Sequence, residues 1–287
     1  QVMKYIGEIN YYAKQKDYPL ITYFVLDGED AGAYQTSNGW CQIKKASEIF
    51  TSKEVEQMVK HTICLDYEEV TDITPDIRIT FYNAGHILGS AMCHLHIGEG
   101  LHNLLYTGDM NYELTNLLSP AVTKFPRLET VIIESTYGGK DNILPSRESE
   151  EKKISDIVNS TIEKKGKILL PVLGVGRAQE ILLILEKLMR NKKIPELTVY
   201  LDGMVWDVNA IHTAYPEFLN SNVRKLIFHA DSNPFLRECF KKVGSAKERK
   251  KVIEDEGSCI IMATSGMLVG GSSVEYLRCL ADNPNNA

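Results

Sequence analysis

Cysteine and tryptophan are scarce in this 287-residue chain, with six of the first and two of the second. The cysteines (Cys41, Cys64, Cys93, Cys239, Cys259 and Cys279) form no C-x-x-C and no close pair. That spacing excludes a cysteine-built zinc module and leaves reduced thiols as the expectation. Cys93 and Cys259 lie within apolar, strand-like runs, where a thiol acts as a small hydrophobe. No apolar run approaches the roughly 18 residues of a membrane span. The start, Gln1-Val2-Met3-Lys4, lacks the charged-then-apolar pattern of a secretory leader. The expectation is a soluble, cytoplasmic protein with no membrane partner. An excess of positive charge is also missing: 32 Lys and Arg face 38 Asp and Glu, for a net −6. A general polyanion binder is thereby excluded, and any nucleic-acid contact needs a local basic patch or a metal. Glycine is missing where a dinucleotide fingerprint would need it, because Gln179 stands at the last position of Gly174-Val175-Gly176-x-x-Gly. No nucleotide cofactor is expected.

Hydrophobic content, by contrast, is ample at 44%, enough for one large domain or two ordinary ones. Ile21 to Leu26 reads as a strand, Asp27 to Asp30 as a turn, and Gln35 to Trp40 carries a Ser-Asn-Gly loop signal. Thr51-Ser52-Lys53-Glu54 fits a capping box ahead of a helix to about His61. From residue 76 the pattern turns to short strands: Ile77 to Tyr82, Ala91 to Ile97, Asn103 to Thr107 and Thr130 to Glu134, with a hairpin turn at Gly98-Glu99-Gly100. After residue 146 the style changes. Ser146 is placed to cap a polar helix in which Ile154, Ile157, Val158 and Ile162 recur at helical spacing, and Gly166 ends it. A buried strand (Ile168 to Leu173) and a helix (Arg177 to about Arg190) follow. Leu197 to Leu201, Lys225 to Phe228 and Cys259 to Ala263 are further strand candidates, and this alternation predicts a parallel α/β sheet. The break at 138–146 divides the chain into an unassigned segment (1–45), a strand-rich part (46–139) and an α/β part (140–287).

Three strands end in groups able to bear chemistry. His86 projects from a turn between Gly85 and Gly89; a hydrogen-bonded structural histidine is the simpler account of it alone. Asp109 follows Gly108 and can cap a turn, or bridge two metal ions spaced roughly 3.5–4 Å apart. Glu134 leaves Val131-Ile132-Ile133, an apolar run that reads as a buried strand, where a carboxylate must be paired or hydrogen-bonded. Arg177 opens a helix, and Ser265-Gly266 follows a buried strand; both can contact a phosphate, with tight-turn chemistry as the alternative. Lys241-Lys242 and Lys247 to Lys251 read as solvated helix faces diluted by Glu254, Asp255 and Glu256. Trp206, His212 and Tyr215 read as packing residues.

In order along the chain, Gly85-His86-Ile87-Leu88-Gly89-Ser90-Ala91, Thr107-Gly108-Asp109, Glu134-Ser135-Thr136-Tyr137-Gly138 and Pro171 to Glu180 resemble the motifs of metallo-β-lactamase/β-CASP nucleases. Tyr200 to Met204 and Ala263 to Leu268 fit as well. The likeness is greatest to the archaeal homologues of the cleavage and polyadenylation specificity factor, and it covers about residues 50 to 287. It implies an α/β architecture: a partial metallo-β-lactamase (αββα) layer, then a β-CASP domain with a mainly parallel sheet. It also implies two zinc ions, with His86 as ligand, Asp109 bridging and Glu134 orienting a ligand histidine. The implied substrate is single-stranded RNA, cleaved at its phosphodiester bonds in 3′-end processing or decay. A homo-oligomer is compatible with the resemblance.

The family's H-x-H-x-D-H run does not precede His86. The only H-x-H is His94-Leu95-His96, which lies downstream and lacks the Asp-His; a surface or half-buried strand face is the reading there. Two later histidine motifs are also missing. With only two protein ligands, weak or partial metal occupancy and poor cleavage are expected. The chain then reads as a fragment of an enzyme or as a non-catalytic RNA-binding or scaffold paralogue. A small-molecule hydrolase on the same fold is the third reading, and the β-CASP-like half argues against it.

Overall fold

A computed structural model describes residues 33–36, 39–42, 52–228 and 233–287. The strand and turn expected at 21–30, and Thr51 of the capping box, lie outside them. The chain falls into two compact units, Gln1–Cys64 and Leu65–Ala287. In the first, β1 (Ala33–Thr36) and β2 (Gly39–Gln42) pair antiparallel with Tyr34 opposite Cys41; Ser37 and Asn38 of the expected loop lie outside the described residues. Helix α1 (Ser52–Lys60) occupies the expected stretch.

The second unit contains two sheets. One has five strands in the order β3 (Val70–Thr74), β4 (Ile77–Asn83), β5 (Ala91–Ile97), β6 (His102–Tyr106) and β7 (Thr130–Ile132). Pairing is antiparallel from β3 to β6 and parallel between β6 and β7. Strands β4, β6 and β7 therefore run the same way, and their carboxyl ends share one edge of the sheet. Strand β3 was not anticipated: it is an outer strand whose side chains are mostly exposed, so it carries no alternating apolar signal. Val131-Ile132-Ile133 corrects the expectation of a buried strand. Strand β7 lies at the sheet edge with Ile132 49% and Ile133 63% exposed, and among the described residues it pairs with β6 alone. Met92 and Leu105 with Ala84 and Ala121 make the core on this sheet, against Tyr82, Val122, Phe125 and Leu128.

The other sheet is fully parallel in the order β10 (Phe240–Val243), β9 (Val199–Asp202), β11 (Ile260–Ala263) and β8 (Ile168–Pro171). Every side chain of β11 is buried, as an inner strand covered on both faces requires. Ile260 and Met262 enter a core shared with α2 (Arg147–Glu163), α3 (Arg177–Arg190) and Val205 of α4 (Val205–Ala214). Ile261 and Ala263 point the other way, to α6 (Ala246–Glu254) and α7 (Ser272–Leu280). Ser146 caps α2 as expected, its hydroxyl accepting from Ser149 N at 3.2 Å. Lys167, buried just before β8, gives its ammonium protons to the carbonyls of Val252, Ile253 and Asp255, closing the C-terminus of α6.

Two expectations in this half are corrected. Lys225 to Phe228 is the end of a helix, α5 (Ser221–Phe228), not a strand. Asn220 Oδ1 accepts from the N–H groups of Asn222 and Val223, each at 3.0 Å, which nucleates the first turn. Lys241-Lys242 is on β10 rather than on a helix face: Phe240 and Val243 are buried and the lysines stand exposed on an edge strand. Among the described residues no helix is long and apolar enough to cross a membrane, and Cys64, Cys93, Cys239, Cys259 and Cys279 are free thiols.

Candidate functional site

The loop between β4 and β5 explains its own sequence. Gly85 N donates to Asn83 Oδ1 at 2.9 Å, and the Ser90 hydroxyl accepts the N–H groups of His86 and Ile87 at 3.1 and 3.2 Å. Gly85 has φ +65°, and a Cβ there would lie 2.5 Å from Asn111 O and 2.7 Å from Ala121 N. Only glycine lets the Asp109 loop come this near. Asn111 N donates to Ala84 O at 2.8 Å, so the two loops are tied by their backbones. His86 Nε2 lies 3.8 Å from Asp109 Oδ2, with the side chains 36% and 71% exposed.

Glu134 reaches the same edge from β7. Its Oε1 accepts from Met110 N at 3.1 Å and its Oε2 from Thr136 N at 3.0 Å, while Glu134 N donates to Thr107 Oγ1 at 3.2 Å. Hydrogen bonds from Thr136 and then from Met110, with a smaller pull from His86, hold its carboxyl below the usual glutamate range. The carboxylate thus braces the backbone one residue past Asp109. His86, Asp109 and Glu134 are gathered by the parallel run of β4, β6 and β7.

The α/β half abuts this edge through α3. Gly176, the N-cap of α3, has φ +78°, and a Cβ there would lie 2.8 Å from Ile87 Cγ2 and 3.7 Å from His86 O. Arg177 follows it directly and is exposed. Ser265 and Gly266 leave β11 beside β8, and a Cβ on Gly266 would lie 2.8 Å from Leu173 N. Their loop therefore adjoins the one that carries Arg177. Ser265 Oγ is buried without a hydrogen-bond partner.

What sequence reasoning missed is the joint. Glu180, one turn into α3, accepts from Asn116 N and Asn116 Nδ2 through Oε1 and from Leu117 N through Oε2, each at 2.9 Å. Asn220 Nδ2 donates to Thr115 O and Asn116 O at 2.9 and 2.7 Å. Leu88 of the His86 loop packs with Leu117, Leu118, Leu183, Leu219, Val223 and Phe235.

His94 corrects the expectation of a surface or half-buried face. It is fully buried, with neither ring nitrogen hydrogen-bonded, and its ring centroid lies 4.1 Å from that of His96. His96 is bonded to Asn103 Oδ1 at 2.9 Å and Thr80 Oγ1 at 3.2 Å. Neither joins the edge that carries His86. Trp206 and His212 pack as expected, whereas Tyr215 is exposed.

A catalytic zinc takes three protein ligands. The described residues contain no group of three or more His, Cys, Asp or Glu placed to hold a metal ion. His86 and Asp109 are two donors at suitable spacing, and by themselves they do not fit a complete metal site.

A parallel sheet flanked by helices, docked on a strand edge carrying a histidine and two acids, defines the class. Residues 178–287 match the Beta-Casp domain, and the chain belongs to the β-CASP family. It is 56% identical over 245 residues to the transcription termination factor FttA of Methanocaldococcus jannaschii, covering 85% of this chain and 38% of that protein. To the factor of the same name from Methanothermobacter thermautotrophicus it is 54% identical over 238 residues, covering 83% and 37%. The chain therefore spans less than two fifths of the length of these relatives.

Proposed function

We propose that this chain supplies one wall of a zinc-dependent RNA-cleaving centre, in a cytoplasmic protein that acts on single-stranded RNA during transcription termination or 3′-end processing. The observation that carries the reading is the convergence of His86, Asp109 and Glu134 on one sheet edge, with His86 Nε2 3.8 Å from Asp109 Oδ2. Relatives named as transcription termination factors support the RNA assignment. When bound, zinc would supply an activated water for phosphodiester hydrolysis. The other ligands it needs are not among the described residues, and on its own this chain holds metal weakly. Its own residues do the following. Asp109 presents a solvent-facing carboxylate, and His86 faces it. Glu134 fixes the Met110 backbone, so Asp109 keeps its position as substrate arrives. Arg177 offers a guanidinium to the RNA backbone, and the Ser265-Gly266 turn offers backbone polar groups beside it.

The test is incubation of the purified protein with end-labelled single-stranded RNA, with and without a chelator, beside Asp109→Asn and His86→Ala. Weak, chelator-sensitive cleavage that falls to background in Asp109→Asn is expected, since two donors hold the metal poorly. Cleavage that survives both substitutions refutes the assignment. The two-donor set favours a second reading, an RNA-binding or scaffold protein with a reduced metal site. That reading requires RNA binding indifferent to chelator and no cleavage.

A further inference from the structure

Gln179 sits one turn into α3 with no exposed surface. Its side-chain amide is used at both ends. Oε1 accepts from Gly176 N at 2.7 Å, while Nε2 donates to Gly174 O at 3.3 Å and to Asn209 Oδ1 at 2.9 Å. The two backbone partners fix the orientation of the amide, since one is a donor and the other an acceptor. They also fix the residue type: a carboxylate lacks the donor, and an apolar chain lacks both. The loop so held runs from Gly174 to Gly176 and has nowhere to relax. At its far end Gly176 is pressed against Ile87 of the His86 loop, in a left-handed conformation (φ +78°, ψ −72°). Met204 closes the near end, where a Cβ on Gly174 would lie 2.4 Å from Met204 Cγ. Arg177 is the next residue, exposed and with no ion-pair partner among the described residues.

We infer that Gln179 is a positioning residue that holds the Gly174–Gly176 loop against the His86 loop and thereby aims Arg177 at the phosphate lying next to His86 and Asp109. Gln179 touches no substrate. A guanidinium on a free loop end would sample many directions, whereas one whose backbone is anchored two residues from a buried amide starts from a fixed Cα and samples fewer. The inference rests on Arg177 being a phosphate contact, as proposed above.

The experiment measures binding of a fluorescent ten-nucleotide oligouridylate to the purified protein across a salt series. Arg177→Ala should lower the slope of log affinity against log salt by about 0.7, the loss of one single-strand phosphate contact. Gln179→Met, close in volume, should lower it by the same amount, and the double variant should fall no further than either alone. Gln179→Glu keeps the acceptor for Gly176 N and should lie between Gln179→Met and the parent; it is the second variant should Gln179→Met fail to fold. A role confined to general stability would reduce the active fraction at every salt and leave the slope unchanged. A parental slope in the Gln179 variants beside a reduced slope in Arg177→Ala overturns the positioning role alone. An unchanged slope in Arg177→Ala overturns the phosphate reading, and the inference with it.

Discussion

Replacing Glu180 by alanine tests the joint between the two halves of the Leu65–Ala287 unit. The carboxylate takes two backbone N–H groups, those of Asn116 and Leu117, and the Asn116 side-chain amide, all at 2.9 Å. Hydrogen bonds to a charged group contribute about 1.5–3 kcal/mol each. The Asn116 amide is partly exposed and can turn to water, so it adds little. Leu117 N keeps a longer bond to Thr115 Oγ1 at 3.2 Å, which offsets part of its loss. The net cost works out at about 3 kcal/mol, or about 6–12 °C in melting temperature for a unit of this size. Thermal unfolding followed by circular dichroism measures the first quantity. Hydrogen exchange at the Asn116 and Leu117 amides measures the second consequence, loss of protection local to the joint. A melting shift under about 2 °C, with both amides protected as in the parent, would refute the reasoning.

Gly85→Ala should be more damaging than its size suggests. The new Cβ meets backbone atoms of Asn111 and Ala121 that cannot swing aside, and φ is +65°. Destabilisation of at least about 3 kcal/mol is expected in denaturant titration, from crowding plus the left-handed penalty. His94 concerns pH. Burial, and then the neighbouring His96, lower its pKa, opposed by the Arg127 backbone and then by Glu129. A histidine held neutral in the fold favours the native state above its ordinary value of about 6.5, and that stability drains away as pH falls below it. His94→Leu should therefore flatten the loss of stability between about pH 6.5 and 5. At pH 7.5 it should be neutral or slightly stabilising, because neither buried ring nitrogen has a partner to lose. A steeper acid loss in the variant would contradict this.

The legible parts of the fold are those whose signal is local. Ile260 to Ala263 is apolar at every position because both faces are covered, and the helix beginning at Arg177 shows its period directly. Ser146 marks its helix start by a side-chain cap. Lys225 to Phe228 misled because a short apolar run suits helix and strand alike, and the deciding residue, Asn220, stands outside it. Strand β10 hid because its middle is two exposed lysines on an edge. The apolar run before Glu134 reads as buried, yet its surface is open on the described chain. At the candidate site, His86, Asp109 and Glu134 were each readable from glycines or strand ends. The Glu180 clamp was not, since its partners lie 63 and 64 residues away along the chain.

Strand order in the parallel sheet bears on how the protein is made. Strand β11, the last of the four in sequence, lies between β8 and β9. During synthesis from the N-terminus, β9 and β10 can join as soon as residue 243 has emerged, but β8 has no strand beside it until residue 260 follows. Its apolar Ile168, Leu169 and Leu170 must wait through some ninety residues of translation, at about 5–20 residues per second a delay of several seconds. For that interval the helix bearing Arg177 and Glu180 packs on a sheet with a gap in its middle. Until then β8 presents unpaired backbone groups and apolar side chains to its surroundings. Completion of the sheet, and with it a fixed place for Arg177, is a late event set by the ribosome's pace rather than by local folding.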